Sequence, residues 1–174
     1  MTVYFGDGTN QTTAGISSGS AGKVNKLTTM YSTSTATRSG SLSHMTAYNI
    51  NVTPVAAASR IILAYSFSHG ISGSWYGIGS VVYRDSTKVA DAGSGSRVGM
   101  HSGPNFAGVA GGMQGSAHYT LVDHPNTTSQ VTYKFYAGAS DGDGTIYIGR
   151  TEDDSDNTEH QRIPFHVVAY DVTL

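Results

Sequence analysis

The sequence predicts an all-β fold of short antiparallel strands, a sandwich or a barrel, on three observations. Apolar side chains recur at every second position in several segments, clusters of Gly, Asn, Asp and Ser separate those segments, and no stretch sustains a helical period. At 174 residues the chain fits one domain, long enough to bury about two thirds of its unfolded surface in a single core.

Taken in order, residues 1–22 begin with the apolar group Val3, Tyr4 and Phe5 and pass through Gly6, Asp7 and Gly8 into a Gly, Ser and Thr stretch without hydrophobic period. This pattern predicts a short extended arm with an adhesive tip. Residues 31–45 are again rich in Ser and Thr and read as a linker or a solvated strand. The expected division is therefore an arm and linker over 1–45 and a sandwich over 46–174.

Within the sandwich, Tyr48, Ile50 and Val52 alternate with Asn49, Asn51 and Thr53, which predicts a half-buried strand over 46–53 that Pro54 stops. Ala56, Ala57 and Ala58 could hold one helical turn, and Ile61, Ile62, Leu63, Tyr65 and Phe67 form a denser run suited to a buried strand. Residues 80–84 and 88–90 flank Asp85, Ser86 and Thr87, the composition of a hairpin turn. Ala117, Tyr119 and Leu121 mark one further strand, and Val131, Tyr133 and Phe135 another. The loop between them carries Asp123, His124, Pro125 and Asn126. Ile146 and Ile148 predict a short strand; Ile163, Phe165, Val167 and Ala169 predict the last, which ends near Leu174 and leaves no room for a further domain.

Charged residues make up only 13% of the chain against the roughly 25% usual in soluble domains, and the net charge is −2. With no block of Lys or Arg, the electrostatic footprint of a nucleic-acid binder is missing. The absence of cysteine removes disulfides and thiolate metal sites. No apolar run reaches the roughly 18 residues of a membrane span, so no membrane insertion is expected.

Four passages carry a resemblance to the jelly-roll modules of phage structural proteins, cyanophages in particular. They are Tyr4-Phe5-Gly6-Asp7-Gly8-Thr9, the Thr53-Pro54 to Arg60-Ile61-Ile62-Leu63 unit, Val82-Tyr83-Arg84-Asp85-Ser86-Thr87, and the run from Asp123-His124-Pro125-Asn126 to Val131-Thr132-Tyr133. With the strand over 165–172 they span nearly the whole chain. The glycine-rich stretches 70–79 and 108–115 depart from that pattern. The resemblance implies a trimeric jelly roll similar to tumour-necrosis-factor or C1q heads, displayed as a particle decoration or a fibre tip. It implies no catalytic residue and no cofactor.

The residues themselves offer few alternatives. Gly15-Ile16-Ser17-Ser18-Gly19 matches a nucleophile elbow in letters alone, because the buried strand and helix that would strain and expose the serine are lacking. His44, His69, His101, His118, His124, His160 and His166 show no helical metal-ligand spacing and read mostly as surface residues, with His118 and His166 at the polar phase of their strands. Seven of the twelve acidic residues lie between 141 and 159. Asp141, Asp143 and Glu152 imitate part of a Ca²⁺ loop, but Ile146 stands where that loop needs glycine, so a solvated acidic loop is the favoured reading and no metal is expected. Trp75 and Tyr76 could stack on a host surface glycan.

The expected function is thus a non-enzymatic virion protein, assembled in the host cytoplasm: a homotrimeric capsid decoration, or cement, protein bound to the major capsid protein or another virion protein and anchored by Val3, Tyr4 and Phe5. The alternative is a tail-fibre tip that binds host glycan. The arm favours the first, since it shows neither the heptads nor the repeats of a fibre shaft.

Overall fold

The computed structural model of the protein describes residues 3–4, 10–11, 22–72, 78–96, 98–102, 114–139, 144–158 and 160–173. All its paired strands are antiparallel. A small pair, β1 (Val3–Tyr4) and β2 (Asn10–Gln11), precedes the sandwich.

The first sheet is built from β3 (Lys23–Ser32), β4 (Ala36–Ser39), β7 (Arg60–Ser72), β10 (Gly115–Asp123), β12 (Thr145–Ile148) and β13 (Phe165–Thr173). Its main body runs in the order β3-β13-β7-β10, and β12 with β4 extends it beside the far end of β7. The second sheet contains β5 (Ser43–His44), β6 (Ile50–Val52), β8 (Ile78–Arg84), β9 (Thr87–Lys88) and β11 (Val131–Ala139). There β5 and β6 share one edge of β11, and β8 with β9 lies along the other.

Main strands that follow one another in sequence mostly lie in opposite sheets, so most connections cross the end of the sandwich. The orders β3-β13-β7-β10 and β6-β11-β8-β9 are those of two interlocked Greek keys, the jelly roll. The hairpin β8–β9 stays within the second sheet, and its two-residue turn sets Asp85 at φ 53°, the left-handed conformation that Asp tolerates.

The period-two pattern places one face of each strand inside. Ile61, Leu63, Tyr65 and Phe67 of β7 meet Tyr133, Phe135 and Ala137 of β11 across the sandwich, with Phe165, Val167 and Ala169 beside them. At the centre the Phe165 ring stacks on Tyr48 at 4.4 Å and on Phe67 at 5.3 Å, and meets Phe135 edge-on at 4.9 Å.

Three sequence expectations change. The sandwich begins at Lys23, not at residue 46: β3 pairs along β13 for its whole length, and β4 and β5 are ladder strands too. No alternation marks β3, because it is an edge strand whose inner positions Thr28, Met30 and Ser32 are only half-buried. Residues 46–48 form a 3₁₀ turn ahead of β6; Tyr48 is nonetheless fully buried, its hydroxyl donating to the Ser34 carbonyl at 2.8 Å. Burial pushes that hydroxyl's pKa up to about 12. Ile163 stands outside β13 and is exposed.

Candidate interaction surface

Because residues paired across a ladder share a face, the register of the first sheet fixes what it shows to solvent. One row across it reads Tyr31, His166, Ser66, His118. The next reads Thr29, Val168, Ala64, Thr120, and the third Leu27, Tyr170, Ile62, Val122. No side chain in these three rows is a carboxylate, an amine or a guanidinium. Tyr31 is 63% exposed, Leu27 54% and Val122 48%, so three of the chain's seven exposed large hydrophobic residues, among the described ones, lie on this one face. Arg60, one pair beyond the third row, is the first formal charge met on β7.

A second element bounds the face at its other end. Residues 150–152, in the connection after β12, lie over β7 at Gly70, where an added Cβ would stand 2.9 Å from the Arg150 carbonyl oxygen and 3.0 Å from the Glu152 nitrogen. Glycine is needed there for backbone to approach backbone. Arg150 covers the Tyr147 ring at 4.7 Å and donates to Thr37 Oγ1 at 2.7 Å, tying the segment to β12 and β4.

One carboxylate of that connection, Asp154, is paired with arginine. Arg162 forks onto both oxygens of Asp154 at 3.0 and 2.6 Å, and Arg150 approaches the same carboxylate at 4.0 Å. The hydrogen bond from Arg162 holds the Asp154 carboxyl below the usual aspartate range. Glu152 contributes its main-chain carbonyl to Arg150 at 3.3 Å. Asp141 and Asp143 lie outside the described residues, as do Trp75, Tyr76, Phe5 and Ser17; Val3 and Tyr4 are placed in β1, with their side chains outside the description. Among the described residues no three His, Asp or Glu side chains are grouped to hold a metal.

The histidines divide in a way their sequence positions do not announce. His118 and His166 are exposed on the uncharged face, and His124 is exposed in the loop after β10. His69 is 6% exposed on β7, and burial lowers its pKa. His101 is a clasp: Nδ1 accepts from the Val82 amide at 3.0 Å, and Nε2 lies 2.7 Å from the Val89 carbonyl. An amide can only donate, so the proton sits on Nε2 and the ring is neutral. Burial pushes its pKa down, the bond to Val89 opposing. His44 stacks on Tyr136 at 5.2 Å, its Nε2 at 2.7 Å from Asn49 Oδ1.

Sequence reasoning missed the polar groups that lock the sandwich. Asp123 of β10 accepts from Arg84 of β8 at 2.8 and 2.7 Å and from the Tyr133 hydroxyl of β11 at 2.8 Å, joining the two sheets. Burial, with the Asp123 carboxylate alongside, raises the Tyr133 pKa. Asp171, 1% exposed, accepts from the Val55 amide at 2.6 Å and fixes the turn before β7. Asp123 and Asp171 fall at strand ends, where a carboxylate looks like a turn residue.

No family model matches the sequence, and no curated protein matches it. Solved structures to which the chain is similar include one of the infectious bursal disease virus Gx strain, at 13% identity and a TM-score of 0.39, covering 86% of this chain and 37% of that one. Another is a mutant VP2 protein of infectious bursal disease virus in derived T=1 particles, at 13% identity and a TM-score of 0.38, covering 86% of this chain and 38% of that one. The chain spans well under half the length of either. No helix among the described residues is long and apolar enough to cross a membrane.

Proposed function

We propose that this chain is a non-enzymatic structural component of a phage particle, a homotrimeric decoration protein that grips the shell through its N-terminal arm. The observation that carries the reading is the broad, uncharged, partly apolar outer face of β3-β13-β7-β10. A jelly roll closes its hydrophobic core and leaves its outer faces free for assembly, a use common to viral coats. Its partners are then its own copies and the major capsid protein or another virion protein.

Counting copies in purified particles by quantitative mass spectrometry tests the reading. Hundreds per particle are expected of a shell component. About a dozen or fewer would instead support the tail-fibre tip with a host glycan as ligand, and absence from particles would overturn both. Because the sandwich starts at Lys23, deleting residues 1–22 removes the arm and spares every strand of both sheets. The truncated protein is expected to keep its oligomeric state and lose particle binding; retained binding would remove the anchoring role of Val3, Tyr4 and Phe5.

A further inference from the structure

We propose that His160 and Asp153, on the connection between β12 and β13, hold a divalent transition-metal cation of the Zn²⁺ class. The site does not depend on the virion reading. Two side chains carry it and water completes the coordination, so no group of three marks it among the described residues. Neither residue belongs to a ligand motif, which is why the sequence predicts no metal here. The first support is a polar atom without a use. The His160 side chain is only 10% exposed, and its Nδ1 is buried with no hydrogen-bond partner among the described residues. A buried ring nitrogen left in that state is costly. Asp153 Oδ1 stands 3.9 Å from it, too far for a hydrogen bond. Zinc lies about 2.0–2.2 Å from a histidine nitrogen or a carboxylate oxygen, so an ion between the two groups reaches both. A closing of about 0.5 Å brings the pair to the span of two tetrahedral ligands.

The second support is how Asp153 is held. Ser155 donates to Asp153 Oδ1 from its amide at 3.2 Å and from its hydroxyl. The hydroxyl bond first, then the amide, keeps that carboxyl below the usual aspartate range and so ionised. A carboxylate has about four acceptor positions, so the two bonds orient the group and leave it capacity for a cation. Charge points the same way. Asp154 is matched by Arg162 and Arg150, whereas Asp156, which lines the same cavity of about 430 Å³ as His160, forms no ion pair among the described residues. The donor set names the class: Ca²⁺ and Mg²⁺ take oxygen ligands, and an imidazole nitrogen beside a carboxylate suits Zn²⁺ and its neighbours. Residues 150–152 already lie over β7 at Gly70, so an ion at 153 and 160 fastens the rest of the connection behind them.

Calorimetric titration of Zn²⁺ into the full chain, first stripped with a chelator, tests the assignment at neutral pH. One equivalent per chain is expected to bind, with Ca²⁺ giving no saturable heat. Ser155→Ala is expected to weaken binding about 10-fold, the usual cost of losing an outer-shell partner. His160→Gln, which removes the ligand nitrogen and keeps a polar side chain, is expected to weaken it further, as is Asp153→Asn. Asp153 is exposed, so its variant decides the question should His160→Gln lose its native circular dichroism. His118→Gln with His166→Gln, on the sheet face, is expected to leave the binding intact. A wild type that takes up no Zn²⁺, equal affinity for Ca²⁺, or undiminished binding in the folded Asp153→Asn protein would overturn the inference. So would loss of binding in the sheet-face variant alone. The copy number in particles is read separately, so failure here leaves the virion role standing.

Discussion

The two sheets share one core and differ in what they turn outward. The three outer rows at the middle of β3-β13-β7-β10 carry no formal charge, and Arg60 lies one pair beyond them. Those of the second sheet place Lys134, Tyr83 and Lys88 in one row and His44, Tyr136 and Val81 in the next. There the rings satisfy one another: Tyr136 lies 4.6 Å from Tyr83 and stacks on His44, and Lys88 pairs with Asp91 at 2.9 Å. On one face Tyr83, Tyr136 and His44 pack on one another and Lys88 pairs with Asp91, whereas on the other Tyr31 meets only His166, edge-on at 6.3 Å, and stays exposed beside Leu27. Exposure of large apolar groups is informative when it is contiguous and uncharged, and the second sheet supplies the internal control.

The largest effect on that comparison comes from removing the core that holds both faces. Phe165 is 1% exposed and touches rings from three other segments. Phe165→Ala is expected to cost about 3–5 kcal/mol in urea unfolding and to erase both faces together. Next comes the latch between sheets. Asp123→Ala leaves Arg84 and the Tyr133 hydroxyl without their shared acceptor, at side-chain exposures of 22% for Arg84 and 13% for Asp123. A loss of about 2 kcal/mol is expected, partial access to water reducing what a fully buried pair would forfeit. A loss below about 0.5 kcal/mol would show that the sheets are held by apolar packing alone.

The fold was legible wherever a strand buries one whole face. Ala117 to Leu121 and Val131 to Phe135 carry the alternation because a partner sheet dries one side of them and water wets the other, and Ile61 to Phe67 shows as a dense apolar run. β3 was illegible for the opposite reason: an edge strand whose inner side is half wet has no use for a hydrophobic period, so it falls within the arm and linker expected over 1–45. The uncharged face followed the same logic. His118 and His166 fall at the polar phase of their strands, yet their alignment with Tyr31 and Ser66 is a property of register, which no single segment encodes. His101 sits in no period at all, so its clasp became visible only with the Val82 amide and Val89 carbonyl on either side of it.

That clasp and the buried His69 predict a third, smaller effect, confined to acid. Both imidazoles have folded pKa values below the usual value of about 6.5 for an unfolded histidine. Above that value neither state binds a proton and stability is fully present. As pH falls through it the unfolded chain gains protons that the folded chain refuses, so stability declines until the folded pKa values are reached and then levels off. For His101 the refusal is geometric, since a proton on Nδ1 would face the Val82 N–H. The Tm is expected to fall between pH 7 and pH 5, and His101→Gln, although less stable overall, is expected to lose part of that slope. An unchanged slope in the variant would assign the acid sensitivity elsewhere.

The smallest effect is expected where the sequence shows its strongest charge signal. Arg162 is 63% exposed and its fork on Asp154 stands in water, where ion pairs gain little after screening and side-chain ordering. Arg162→Ala is expected to shift the urea unfolding midpoint less than Asp123→Ala does and to leave the oligomeric mass unaltered. Added salt should shrink even that difference, because the pair is exposed. A larger loss, insensitive to salt, would mean that the segment 149–162 clamps β7 at Gly70 through this contact. The boundary of the uncharged face would then be set by electrostatics, and not by the close backbone approach that glycine permits.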